Sequence, residues 1–216
     1  MNLKKTWTFD RWVALLLPPF YLVGIFGHAF EATFELMITL TPLTILTTVV
    51  LAYYPIVVKR DTKLLIWLAV SFAVTLVLEI IGVATSLIFG SYSYGSTLGL
   101  KLLEVPLVIG LNWTIVILGI VSFLDRLHVP AVLSVIGTGV LASAFDWIME
   151  PVAIALDYWT WTGSDIPIQN YIAWALIAAA CAGAYKGFRL QCKSWVPSLI
   201  VGIQTVFFFT LRFIVV

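Results

Sequence analysis

The sequence predicts an all-α polytopic membrane protein, a bundle of about seven transmembrane helices forming one integral membrane domain over residues 1–216. Three observations carry this. Of the 216 residues, 62% are hydrophobic and only 11% are charged. Mean hydropathy is +1.06. The charged residues fall between apolar runs of roughly 20 residues, the length that crosses a hydrocarbon core of about 30 Å at a rise of about 1.5 Å per residue. No water-soluble fold of this size has an interior large enough to hide that much apolar surface.

Taken in order, the runs lie near Trp12–Phe30, Leu36–Val58, Leu64–Phe89, Leu103–Leu124, Pro130–Leu156, Asn170–Phe188 and Trp195–Ile214. The first follows Lys4, Lys5 and Arg11, as a secretory signal would, but it has no clean small-residue cleavage site and exceeds the length of such a segment. It reads as a helix. No Ser/Gly-rich linker, charge tract or internal repeat interrupts the chain, so one domain is expected. An N-terminus on the cytoplasmic side places Lys4, Lys5, Arg11, Lys59, Arg60, Lys63, Arg126, Lys186, Arg189 and Lys193 inside and leaves Lys101 and Arg212 outside. This asymmetry predicts N-in, C-out insertion into a cell membrane. With a net charge of +1 and basic residues that serve topology, a nucleic-acid partner is not expected. Cys181 and Cys192 have neither disulfide nor metal spacing.

An ionisable side chain inside a span costs several kcal/mol unless it is paired or lines a cavity, so each is a functional candidate. Glu79 falls in the third run, and Asp146 and Glu150 fall one turn apart on one face of the fifth. The antiparallel directions of these spans put all three in the same, outer half of the membrane, where they could share a pocket. Crowding and burial would then favour a retained proton on at least one. The alternative is that each carboxyl only ties helices together, through Asn112, Gln169, Asn170 or the backbone.

The same half is rich in rings: Phe89, Tyr92, Tyr94, Trp113, Trp147, Tyr158, Trp159, Trp161, Tyr171 and Trp174. An interfacial aromatic belt accounts for some of them. Trp113 and Trp147 sit inside spans near the carboxyls, where a ring face can stabilise a cation. His28, Glu31 and Glu35 follow one another at spacings of three and four, but they read as a solvated polar helix start rather than a metal site. No metal or cofactor is expected. A retinal protein is excluded, because the last run has no Lys to form a Schiff base.

Two blocks resemble a known family. The first is EIIGVATSLIFGSYSYGSTLGLKLLEVPLVIGLNW, through Glu79, Gly82, Thr85, the run Phe89-Gly90-x-Tyr92-x-Tyr94, Leu98-Gly99, Val105-Pro106 and Trp113. The second is DWIMEPVAIALDYWTWTGSDIPIQNYIAW, through Asp146, Glu150-Pro151, Trp159, Trp161, Pro167, Asn170 and Trp174. Both are similar to the carotenoid biosynthesis membrane-protein family that includes the carotenoid 1',2'-hydratases and the bisanhydrobacterioruberin hydratases. The chain departs from that pattern at Ser86 and Glu104, where the family has glycine, at Ile88, where it has proline, and at Ala173, where it has glycine.

The resemblance implies a cofactor-independent hydro-lyase acting on the terminal ψ-end alkene of an acyclic carotenoid such as lycopene. An acid protonates the alkene and water captures the tertiary carbocation. The residues it implies are Glu79, Asp146 and Glu150 as the catalytic carboxyls, with Asp146 or Glu150 as donor and Glu79 holding water together with Asn112 or Asn170. Asn112, Trp113, Trp147, Tyr92, Tyr94, Trp159, Trp161, Asn170 and Trp174 would form the substrate site, Trp113 and Trp147 lining the cation. A carotenoid end-group cyclase or isomerase would use the same carboxyls. A small transporter or lipid-binding protein is the reading from another class, and it predicts inverted repeats or broken helices that the sequence does not show.

Overall fold

In the computed structural model, which describes residues 3–163 and 165–216 with side chains from residue 9 onward, seven helices pack as a bundle. They are α1 (Leu3–Ala29), α2 (Glu31–Val58), α3 (Thr62–Thr85), α4 (Leu107–Arg126), α5 (Ala131–Ala155), α6 (Ile168–Gly187) and α7 (Val196–Leu211). The helices α2 to α5, and α1 from Phe9, are long and apolar enough to cross a membrane. The helix α7 is apolar but has 16 residues, and α6 spends its length on alanine and glycine.

Backbone amides in hydrocarbon find no water, so helices that satisfy their own ladders are the expected solution. What differs among them is burial. Nearly every residue of α4 is buried, whereas α1 and α2 turn most of their surface outward. The helix α4 is therefore the post around which the others stand. Small residues allow the closest approaches. A Cβ added at Gly139 of α5 would lie 2.5 Å from the Ala175 carbonyl oxygen of α6, so these two backbones touch directly.

At one end of the bundle, Lys59, Arg60, Lys63, Arg126, Lys186, Arg189 and Lys193 gather at the short α2–α3, α4–α5 and α6–α7 turns. Here Lys186 pairs with Asp125. The Arg126 guanidinium donates to the Ser122 carbonyl at 2.8 Å and to that of Cys192 at 3.1 Å. Asp10 of α1 accepts from the Ser194 hydroxyl at 2.9 Å and the Trp195 amide at 3.1 Å. The side chains of Lys4 and Lys5, counted with this end in the sequence, lie outside the described residues. Cys181 and Cys192 are free and buried.

The other end carries two small strand pairs. The strands β1 (Tyr92–Tyr94) and β4 (Trp159–Trp161) pair antiparallel with Tyr92 opposite Trp161 and Tyr94 opposite Trp159. The strands β2 (Lys101–Leu102) and β3 (Val105–Pro106) form a tight hairpin. This corrects two predicted span boundaries. The third apolar run continues to Phe89, but α3 stops at Thr85, where Ser86 turns left-handed at φ 58°. The fourth begins near Leu103, but Leu103 and Glu104 form the turn of the β2–β3 hairpin at φ 47° and 68°, and α4 starts four residues later. Apolar content does not mark where a helix ends.

Ser86 and Glu104 are two of the positions at which the chain departs from the glycines of the family it resembles, and both are left-handed, where a side chain costs roughly 1–2 kcal/mol. Ser86→Gly and Glu104→Gly are each expected to raise stability by about 1 kcal/mol, read as a higher thermal aggregation midpoint in detergent. A lower midpoint in both would contradict this reading of the turns.

Candidate functional site: a carboxyl box beneath an aromatic ribbon

Alternation along a strand places every second side chain on one face. In the β1–β4 ribbon this puts Tyr92, Tyr94, Trp159 and Trp161 on the face toward the bundle and Ser93 and Thr160 on the other, as their burial shows. Cross-strand rings touch, with centroids 4.9 Å apart for Tyr92 and Trp161 and 5.9 Å for Tyr94 and Trp159. Gly90 lets the chain enter the ribbon. Its φ is 110°, and a Cβ there would lie 2.7 Å from Pro167 and 3.2 Å from the Trp161 ring.

Each inward ring carries one polar atom, and those of Tyr92, Trp159 and Trp161 are spent on a carboxyl. Trp159 and Trp161 donate their indole N–H groups to the same oxygen, Glu150 Oε2, at 2.9 and 3.1 Å. The Tyr92 hydroxyl donates to Glu79 Oε2, and Tyr94 also reaches Glu79. Asn170, in the first turn of α6, uses one amide nitrogen to bridge the other pair: Nδ2 donates to Asp146 Oδ2 at 2.6 Å and to Glu150 Oε1 at 3.2 Å. Glu79, Asp146, Glu150 and Asn170 are all at least 97% buried. The only ion pair among the described residues is at the opposite end of the bundle. Three carboxyls thus share an apolar box with neutral donors alone.

A ring stack closes one flank. Trp113 of α4 lies on Trp174 of α6 with centroids 3.5 Å apart and planes 14° from parallel, and Phe89 covers the far face of Trp174 at 5.1 Å. On the other side of Trp113 and Trp159 lies a mainly apolar cavity of about 150 Å³ between α1, α2, α4 and α7. Trp113, Met149 and Trp159 are its floor, and none of the three carboxyls lines it. The box and the cavity are adjoining compartments with an aromatic wall between them.

Most of the sequence-predicted residues meet here: Glu79, Asp146, Glu150, Tyr92, Tyr94, Trp113, Trp159, Trp161, Asn170 and Trp174. Two do not. Trp147 follows Asp146 by one residue, so it projects about 100° away around α5. It is 55% exposed and lies under the Arg212 guanidinium at 4.6 Å from the ring centroid, so it cannot line the box. Asn112 does not reach a carboxyl. Its Oδ1 accepts from Gln204 Nε2 at 3.1 Å, inside the cavity. His28 also differs from expectation, for it is buried in the cavity wall while Glu31 and Glu35 face outward. Among the described residues no cluster suited to a metal ion occurs. Sequence reasoning missed Tyr21 and Gln204, which share this cavity. Gln204 is the one amide in the last span and was open to the same argument that singled out the carboxyls.

The family model for carotenoid biosynthesis proteins matches residues 40–215. The chain belongs to that family. Comparison with curated proteins gave no match, and comparison with solved structures gave none. The matched region holds the whole carboxyl box, the ribbon and the ring stack, whereas α1 and the start of α2, which wall the cavity, precede it.

If the ribbon exists to satisfy Glu79, the two depend on each other. Tyr92→Phe is expected to destabilise the protein by about 1–3 kcal/mol by removing a donor from a buried carboxyl. In a Glu79→Leu background the same change should cost close to nothing. Additive costs in this double-mutant cycle, read by thermal stability in detergent, would show that the pair is uncoupled.

Proposed function

We propose that this member of the carotenoid biosynthesis family is a cofactor-independent hydratase that adds water across the terminal ψ-end double bond of an acyclic carotenoid. The observation that supports it best is the meeting of three buried carboxyls, Glu79, Asp146 and Glu150, in a box that adjoins an apolar cavity across Trp113 and Trp159. Alkene hydration needs only a proton donor, a cation-tolerant wall and a water acceptor, and this arrangement offers each.

In this reading the polyene end enters the cavity and meets the box at Trp113 and Trp159. The Asp146–Glu150 pair, held together by the Asn170 amide, supplies a proton to the less substituted alkene carbon, and the alkene π electrons form the new C–H bond. The tertiary cation faces the indole rings, whose π clouds lower its energy by about 2 kcal/mol or more in a desolvated site. A water oxygen then bonds to the cation, and its surplus proton passes to the ionised carboxyl, so nothing is consumed but water. Glu79, which accepts from the Tyr92 hydroxyl, orients the water. Trp159 stands between the cavity and Glu150, so contact requires that it swing aside.

The burial of the box also supports a second reading. The three carboxyls are almost fully buried and none of them lines the cavity, and such shielding suits protonation without water capture, the chemistry of an end-group cyclase or isomerase. Product mass separates the two, because hydration adds one water and isomerisation adds nothing.

In a host that makes acyclic carotenoids, the protein is expected to yield a product heavier by one water. Asp146→Asn, Glu150→Gln and Glu79→Gln should each lower its amount by roughly 100-fold or more, the usual contribution of an acid or base. Trp147→Leu should leave it within about twofold. Undiminished hydration in all three carboxamide variants would remove the carboxyls from the reaction, and a product of unchanged mass would favour the second reading.

A further inference from the structure

Among the described residues, three buried side-chain polar atoms lack a hydrogen-bond partner, and two of them, His28 Nε2 and Gln204 Oε1, line the same cavity. Such atoms are uncommon, because a buried polar group without a partner costs about 1–3 kcal/mol. Both residues are more than 90% buried, His28 on α1 and Gln204 on α7.

Their neighbours fix what they can do. His28 Nδ1 lies 2.7 Å from the Gly24 carbonyl oxygen, which can only accept, so Nδ1 carries the ring proton and Nε2 of the neutral ring is an acceptor. Phe34 and Phe207 meet the imidazole edge-on at 6.0 and 5.9 Å and hold its plane. Gln204 donates through Nε2 to Asn112 Oδ1 at 3.1 Å and to the Tyr21 hydroxyl at 3.4 Å, which leaves Oε1 as its acceptor. Two acceptors without donors therefore face an otherwise apolar space. That space reaches the outer surface of the bundle between α1 and α2, where Val23 is 66% exposed.

We propose that this cavity binds the end group of an isoprenoid polyene and that His28 Nε2 and Gln204 Oε1 form a subsite for a hydroxyl donor on that end group. Apolar walls take the chain, and the single O–H of the alcohol donates to one of the two acceptors. The proposal rests on the reading above only in taking the ligand to be a polyene. The tertiary alcohol that hydration creates is such a donor, so the subsite recognises the product end, and α1 contributes to specificity from outside the matched family region.

Purified protein in detergent is titrated with three acyclic polyenes alike except at one terminus: the hydrocarbon, the tertiary alcohol and its methyl ether, with binding read from the polyene absorption. The alcohol is expected to bind about fivefold more tightly than the hydrocarbon, the ratio given by one net hydrogen bond of about 1 kcal/mol. The ether, which cannot donate, should match the hydrocarbon. In at least one of His28→Phe and Gln204→Met, and in the variant that carries both, the ratio of alcohol to hydrocarbon affinity should fall toward one. Equal binding of all three by the wild-type protein would mean that water alone serves these atoms, and would overturn the proposal whether or not either variant folds. A preference shared by the ether would also overturn it. If the preference is present but no water is added in the pigment-producing host, the subsite stands and the hydratase reading falls; hydration without the preference gives the reverse.

Discussion

The site depends on one constraint: carboxyl groups placed among apolar helices must be given hydrogen-bond donors, and helices cannot spare any. Every backbone N–H inside α3 and α5 is committed to its own ladder, so the donors must come from side chains. The protein draws them from the β1–β4 ribbon at the bundle end and from Asn170 in the first turn of α6. The ribbon is too short to be stable alone. It is held because its inward rings serve Glu79 and Glu150, and the carboxyls are tolerated because the ribbon is there. Folding of the extramembrane loops and solvation of the buried carboxyls are one event.

This explains why the aromatic residues alternate. A Tyr-x-Tyr and a Trp-x-Trp on paired strands deliver four polar tips to one face at a spacing no single helix could match. It also explains why the rings are Tyr and Trp. Phenylalanine would fill the same volume and leave Glu79 and Glu150 without these donors. Positioning continues through Gly90, whose missing side chain lets Pro167 and Trp161 close over the ribbon.

Much of this is legible in the sequence, and for physical reasons. Apolar runs report lipid burial, so seven helices can be found in them, and intramembrane carboxyls are conspicuous because they are costly. What was not legible is direction around a helix axis and the boundary between lipid and loop. Trp147 sits beside Asp146 in the chain yet points to the bundle surface, because neighbours on a helix diverge by about 100°. Leu103 reads as the start of a span and proves to be a hairpin corner. His28 and Gln204 belong to apolar runs with no motif, and only the packing of α1 against α7 brings them to one cavity. A single sequence shows which groups are costly; it does not show which of them find each other.

In the proposed function the two compartments divide the work, the box holding the buried carboxyls and the cavity taking the polyene end. The most direct test of this account is the state of the Trp159 and Trp161 indole N–H groups, followed by NMR in nitrogen-15 tryptophan-labelled protein. Two resonances shifted downfield by a carboxylate acceptor, slow to exchange with deuterium, and both returning toward ordinary positions in Glu150→Leu are the predicted result. Two rapidly exchanging resonances indifferent to that substitution would mean that the ribbon does not roof a dry carboxyl site, and the account would fail with it.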